Sequence, residues 1–438
     1  MNNSEYKNYH ESFMQNNHGS TAVHTFLSVF FTVQCALFCA IKVPNHGLKQ
    51  YVLEYIIIVL PTIVAHTVFS NYINELNLCV SVLLLYEILK NIKYSEVYDA
   101  FRCMNNFKND KILSVSCLRG LTYLITVICI LAVDFKDFPR HLAKTENYGY
   151  SLMDTGVGLF ILISGLVHKE YSKQNYVSIL KSNTKFVSIL LILGVTRYLS
   201  IKQLDYQNHI TEYGVHWNFF YTLAVCKFVS CLLLILPFDP LFLSITILSF
   251  HEFLLYKNLE AWVFSDTPRI NLIDANKEGI TSSLGYVALY LFAVKLKKIL
   301  TNKSVTRYHV IQTLIISSVV LLISSYICNL YRPVSRTLAN AGYSLYLSAI
   351  TALVLSLMYV LEIVFGYKNI SFHIPLILGA INDNGLLYFL IANVATGIIN
   401  MSVRTLFVPA MATFVILNFY MILNISIIVY ANRKGIKL

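Results

Sequence analysis

The chain has 438 residues, is 56% hydrophobic and only 13% charged, and has a mean hydropathy of +0.60. A soluble chain of this length would divide into two or three domains, but here apolar runs of membrane-spanning length recur almost from end to end. Between them lie polar connections too short to form a soluble domain. The net charge of +11 needs no nucleic acid, because lysines and arginines beside apolar spans meet anionic lipid headgroups.

A span needs roughly 20 apolar residues, fewer inside a bundle. On that criterion spans are predicted at 22–41, 51–70, 74–90, 113–133, 151–168, 184–200, 217–235, 239–256, 280–297, 308–330, 342–366, 384–400 and 405–431. The expected architecture is an all-α polytopic membrane protein with about thirteen helices in a single bundle. Residues 1–20 read as a short tail, 21–431 as the multi-spanning domain, and 432–438 as a second tail. The run from Thr21 to Ile41 is too long for a signal-peptide core and reads as a retained helix. Ser371–Ile381 is too short to span; its proline and the following Asn382-Asp383-Asn384-Gly385 predict a broken or re-entrant element.

Orientation follows the positive-inside rule. Placing residue 1 outside the cytosol puts the larger share of the 34 Lys and Arg on the cytosolic side, among them Lys90, Lys93, Arg102, Lys169, Lys297, Lys298, Arg433 and Lys434. That orientation predicts a lumenal N-terminus and a cytosolic C-terminus. The nine cysteines lie mostly within spans, without zinc-ligand spacing or a disulfide framework, and read as core packing.

The chemically varied connections all fall on the non-cytosolic side. Asp134 follows Ile130-Leu131-Ala132-Val133 directly, so its carboxylate should lie at the hydrocarbon boundary, where desolvation sharpens it as a base. Lys144 comes ten residues later, beyond Pro139, and a returning loop can bring its ammonium toward that carboxylate. Such a pair can take a proton from a hydroxyl and stabilise the oxyanion formed when that hydroxyl attacks a carbonyl. A loop salt bridge is the competing reading. Asp154 either caps a helix or contacts substrate, while Gly156 and Gly158 permit close helix approach.

A third cluster holds Asp205, His209, Glu212, His216, Trp217 and Asn218. His209, Glu212 and His216 stand at i, i+3 and i+7, which leaves open a polar network between helix ends, substrate recognition, or an imidazole base. The spacing is not HExxH and no cysteine joins it, so no metal is expected. Arg269 and Lys277, beside Asn276, are candidates for a lipid phosphate, in competition with ordinary interfacial anchoring, and Arg332, Ser335, Arg336 and Asn340 offer a second cationic patch. Asn393, Thr396 and Asn400 share one face of a late span, either joining helices or lining a cavity.

Several blocks then stand together: YHESF at 9–13, ILAVDF at 130–135, FPRHLAKTENYGYSLMDTGVG at 138–158, LDYQNHITEYGVHWNFFYTLA at 204–224, NKEGITSSLGY at 276–286, VSRTLAN at 334–340 and NDNGLLYFLIANVATGIIN at 382–400. In this order they resemble the eukaryotic inositol acyltransferases of the glycosylphosphatidylinositol (GPI) pathway, the family of the fungal GPI-anchored wall transfer protein and its animal counterpart. The resemblance runs from the N-terminal tail to beyond residue 405. It implies an endoplasmic reticulum enzyme that moves a fatty acyl group, usually palmitoyl, from acyl-CoA to the inositol 2-hydroxyl of glucosaminyl-phosphatidylinositol. Acyl-CoA is then a co-substrate, no permanently bound cofactor is implied, and the partners are that glycolipid and membrane lipids. The family's catalytic Asp and Lys fall on Asp134 and Lys144. Two departures are visible: His141 replaces the second arginine usual after FPR, and Thr337 stands where a second arginine commonly follows SR. Arg140, His141, Asp154 and Arg336 lie within these blocks as supporting residues.

Three other readings compete. A histidine-centred membrane-bound O-acyltransferase would use His209 or His216, a lipid or solute transporter would move substrate without consuming acyl-CoA, and in an assembly subunit every polar cluster would be a helix lock.

Overall fold

The computed structural model describes residues 3–43, 47–105, 112–169, 176–203, 210–367 and 373–436. Its helices in chain order are α1 (Asn3–Met14), α2 (Ala22–Lys42), α3 (Gly47–Glu54), α4 (Leu60–His66), α5 (Ile73–Asn91), α6 (Tyr94–Arg102), α7 (Leu113–Ala132), α8 (Leu152–Leu166), α9 (Tyr176–Gln203) and α10 (Ile210–Tyr213). The second half adds α11 (Phe219–Leu233), α12 (Pro240–Leu254), α13 (Glu260–Val263), α14 (Leu272–Ala275), α15 (Lys277–Thr301), α16 (Arg307–Tyr331), α17 (Ala341–Tyr367), α18 (Leu376–Asp383), α19 (Gly385–Ser402) and α20 (Ala410–Arg433). Among the described residues, extended pairing is limited to two isolated bridges, Ser20–Tyr150 and Met104–Thr306.

Nine of these helices, α2, α5, α7, α9, α15, α16, α17, α19 and α20, are long and apolar enough to cross a membrane, and α8 and α11 are shorter apolar helices. The other two predicted spans are interrupted. Between α3 and α4 the helix widens into a π turn at Tyr55–Val59, just before Pro61. Proline has no N–H for the carbonyl four residues back, so the ladder must re-register there. The span after Pro240 likewise breaks at Leu255–Leu259, where Asn258 takes a left-handed φ of 74° that asparagine tolerates. The broken element expected near 371–381 is α18, which ends at Asp383 and is separated from α19 by Asn384 alone.

Helix starts follow the sequence. Thr21, Ser151, Asn218, Asp239 and Thr306 each accept a backbone N–H from the first turn of the helix they precede. Two carboxylates inside the bundle cap other helices. Glu54 accepts from the Leu376 and Ile377 N–H groups at 2.7 Å, and Glu362 from Leu113 and Ser114 at 3.0 and 2.9 Å. A buried anion at a helix N-terminus meets unpaired donors and the positive dipole end, which offsets its desolvation.

One continuous apolar core joins α2, α7, α8, α15, α17, α18 and α20. Helices α15 and α17 are largely buried, whereas α5, α9 and α16 expose most of their surface, as lipid-facing helices do. Close approach is real at Gly158, where an added Cβ would lie 2.2 Å from Leu347. Within residues 3–20, α1 and the strap after it are stitched onto the loops between α7 and α8 and between α19 and α20.

Candidate active site

Helix α7 runs to Ala132, and Val133 and Asp134 continue as a turn whose N–H groups still bond back to Cys129 and Leu131. Asp134 is thereby fixed at the helix end, 6% exposed. Its Oδ2 accepts a 2.7 Å hydrogen bond from Asn400 Nδ2 on α19, and its Oδ1 lies 3.8 Å from Nε2 of His10 on α1. Burial pushes the carboxyl above the ordinary carboxylate range, while the Asn400 bond and the charges of His10 and Lys144 partly restrain it.

The chain then turns through Pro139 and Arg140–Leu142 and returns to Lys144. Lys144 does not bond to Asp134 directly. Its ammonium donates to the Glu212 carboxylate at 2.7 Å, and its charge reaches Asp134 across the cavity they share. Burial alone would raise Glu212, but Lys144 and Arg336 outweigh it and hold the carboxyl at about 2. Arg336 is buried, 2.9 Å from Asp154 Oδ1 and 3.6 Å from Glu212. Burial would lower its pKa, yet Glu212 and Asp154 raise it overall.

Asp154 is not the cap of α8, which is Ser151; its Oδ2 accepts from the Thr145 N–H at 3.1 Å and the Thr145 hydroxyl at 2.7 Å. Arg336, Asp154 and Thr145 thus fix the backbone next to Lys144. Asn17 adds to this, donating to the Ala143 and Lys144 carbonyls at 2.9 Å.

Asp134 and Lys144 open onto one cavity of about 700 Å³, a size typical of a small-molecule site. Its polar end holds His10, Asp134, Arg140, Lys144, Glu212 and Arg336. The remainder is mostly apolar. Along α7 alone the lining runs from Leu118 to Val133, about 22 Å at 1.5 Å per residue. Phe160, Phe219, Phe220, Phe389 and Val394 contribute further apolar wall.

The other sequence candidates divide. Asn393 lines the cavity while its amide bonds back to the Phe389 carbonyl, and Arg140 lines the mouth with its guanidinium on Met14 and over the Phe13 ring. His141 packs edge-on against His24, and burial lowers its pKa. Lys277, a lipid-phosphate candidate, is buried with its ammonium 3.0 Å from the Trp262 carbonyl oxygen, and it meets Ser265 and Thr267 oxygens as well. Arg269 is likewise held by Glu278 and the Ala275 carbonyl. Arg332 is bound to Glu252 and Glu260, so the second cationic patch is a set of ion pairs.

Asn276 accepts from the His216 and Trp217 N–H groups, Trp217 donates to Thr222, and Asn218 caps α11 and bonds to the Gly194 carbonyl. These residues are a polar clip between helix ends, and the His216 ring packs edge-on against Tyr198. Asp205 and His209 lie outside the described residues. Sequence reasoning missed His10 and Arg197 as cavity residues. The signal for His10 was YHESF at 9–13, one of the blocks that carry the family resemblance but given no role at the site.

The model of the GWT1 family matches residues 6–431. The chain belongs to the GWT1 family. Among its relatives in that family, a phosphatidylinositol-glycan biosynthesis class W protein of Dictyostelium discoideum is 31% identical over 95% of each chain. The GPI-anchored wall transfer protein 1 of Yarrowia lipolytica is 34% identical over 74% of this chain and 73% of that protein. The glucosaminyl-phosphatidylinositol-acyltransferase PIGW of Bos taurus is 30% identical over 88% of each. The GWT1 match covers α1 from residue 6 onward and the connection that carries Asp134 and Lys144, and every residue lining the cavity lies within it.

Proposed function

We propose that this member of the GWT1 family transfers a fatty acyl group, palmitoyl the expected one, from acyl-CoA to the inositol 2-hydroxyl of glucosaminyl-phosphatidylinositol. The observation that carries the reading is one cavity with Asp134 and Lys144 at its polar end and an apolar passage about 22 Å long behind them. A hydrocarbon chain fits the passage, and a sugar hydroxyl belongs at the polar end. The acyltransferase named among the relatives supplies the substrate class.

Asp134 acts as the base. Its raised pKa brings it closer to the proton affinity that a base working near neutrality needs. The inositol O–H bond breaks toward Asp134, a C–O bond forms to the thioester carbonyl, and the C–S bond breaks with its electron pair leaving on sulfur as the CoA thiolate. Lys144 stabilises the oxyanion between these events. An ammonium has three donors, so Lys144 can keep Glu212 with one and offer another to the oxyanion. Arg140 and Arg197 at the mouth suit the substrate phosphate. On this reading the chain sits in the endoplasmic reticulum membrane with the polar mouth and N-terminus lumenal and the C-terminus cytosolic. The Lys and Arg distribution supports that orientation.

The test is product analysis with purified protein, labelled acyl-CoA and glucosaminyl-phosphatidylinositol. Asp134→Asn and Lys144→Met should each fold yet lose roughly 10²–10⁴-fold in kcat. A double mutant with near-wild-type turnover at saturating acyl-CoA refutes the reading.

A further inference from the structure

Helix α1 is docked at both ends. Tyr9 stacks on Phe407 with ring centroids 5.9 Å apart, and the Tyr6 hydroxyl accepts the Leu406 N–H at 3.2 Å. Beyond the helix, Asn17 holds the Lys144 backbone, and the Ser20 N–H donates to the Tyr150 carbonyl at 2.6 Å. These contacts place His10 against the cavity, 8% exposed, facing the one Asp134 oxygen that Asn400 does not take.

The 3.8 Å between His10 Nε2 and Asp134 Oδ1 is too long for a hydrogen bond. It does suit a third atom. An oxygen about 2.8 Å from each of two groups so spaced completes a triangle with near-normal hydrogen-bond lengths on both sides. We propose that His10 is a substrate-contacting catalytic residue that holds the attacking hydroxyl together with Asp134: the hydroxyl donates its proton to Asp134 Oδ1 and accepts a hydrogen bond from His10 Nε2–H.

The inference rests on Asp134 being the base and adds what aims the nucleophile. During the step the O–H proton passes to Asp134, the oxygen lone pair forms the new C–O bond, and the C–S bond breaks with its electrons on sulfur. His10 keeps its proton throughout and steadies the negative charge that builds on the attacking oxygen. Lys144 then serves the other oxygen, that of the carbonyl. One donor for each of two oxygens fits His10 and Lys144 standing on separate elements that line the same cavity.

The experiment compares full-length His10→Gln, His10→Leu and His10→Glu with wild type in the labelled acyl-CoA assay, alongside thermal stability in detergent. A glutamine amide N–H reaches about where Nε2 lies and can donate, whereas leucine and an ionised glutamate cannot. The expected result is a 10- to 100-fold loss of kcat for leucine, the scale of a hydrogen bond to a charged group, with little change in the KM for the glycolipid. Glutamate should be at least as impaired, and glutamine should stay within a few-fold of wild type. Equal impairment of glutamine and leucine, or a leucine variant within two-fold of wild type, overturns the proposal. If the leucine variant fails to accumulate, His10→Ala is read in its place by the same criteria. Loss of turnover in Asp134→Asn beside an unaffected His10→Leu would sink the histidine role alone. An active Asp134→Asn would sink the underlying reading.

Discussion

Arg336→Met should destabilise the protein by about 3–5 kcal/mol, the range for removing one partner of a buried ion pair. The magnitude follows from the surroundings. The side chains of Arg336 and Asp154 are 3% and 4% exposed and 2.9 Å apart, so water cannot replace the lost guanidinium. Asp154 would keep only its two bonds from Thr145 on the other oxygen. Glu212 would lose its second cation, at 3.6 Å, and keep half-exposed Lys144 and the more distant charge of Arg197. Neutralising the carboxylate removes the stranded charge, so Arg336→Met combined with Asp154→Asn should recover part of the loss, with a coupling energy of at least about 1.5 kcal/mol. Equilibrium unfolding by SDS titration in mixed micelles measures all four states of the cycle. Turnover should fall with stability in the single mutant, because Asp154 fixes Thr145 and hence the backbone beside Lys144. A single mutant within about 1 kcal/mol of wild type, or an additive cycle, would show that this pair does not hold the loop.

The pH profile of kcat gives a second check. A base must be ionised, and Asp134 is raised by burial, so its activity should fall with decreasing pH through a value above the ordinary aspartate pKa of about 3.9. Glu212, held at about 2, stays ionised over that whole range, so the loss should follow a single group while the Lys144 contact persists. An acid limb at or below about 3.9 would argue against Asp134 as the base. Glu212→Gln removes the carboxylate that aims Lys144, and a misplaced catalytic group costs on the order of 10²-fold. The product assay should show that loss in kcat with an intact fold, and unchanged turnover would mean that Lys144 is positioned otherwise.

The parts of this molecule legible from sequence are those governed by local period and composition. All the predicted spans fall on helices, including the two that proline and asparagine interrupt, and the short element around Pro375 is a broken helix as its length implied. Asp134 could be placed at a helix end because it directly follows an apolar run. What sequence does not carry is the partner of a charge. Lys144 meets Glu212 across 68 positions, and Lys277 is filled by carbonyl and hydroxyl oxygens of the preceding turn. Residues 3–14 are polar and read as a tail, since their helix is anchored through Tyr6, Tyr9 and Arg140 to distant loops rather than through an apolar stripe of its own.

The way each carboxylate is satisfied separates structural from chemical roles more sharply than its depth in the bundle. Glu54 accepts from Leu376, Ile377 and Gln50; Glu362 from Leu113 and from both Ser114 donors; Asp154 from both Thr145 donors, with Arg336 on its other oxygen. Each of the three has a charge or hydrogen-bond donor on its carboxylate from another element, although Asp154 Oδ1 meets Arg336 as an ion pair without a hydrogen bond, and each ties one helix or loop to another. Asp134 is as buried as they are, yet a single bond from Asn400 occupies only one of its oxygens. Its other oxygen faces His10 across a gap sized for one more atom and opens on the cavity. A buried anion left under-coordinated is costly unless something else supplies the missing hydrogen bond. On the proposed reading a hydroxyl of the substrate supplies it, and accepting that bond is the first half of taking its proton.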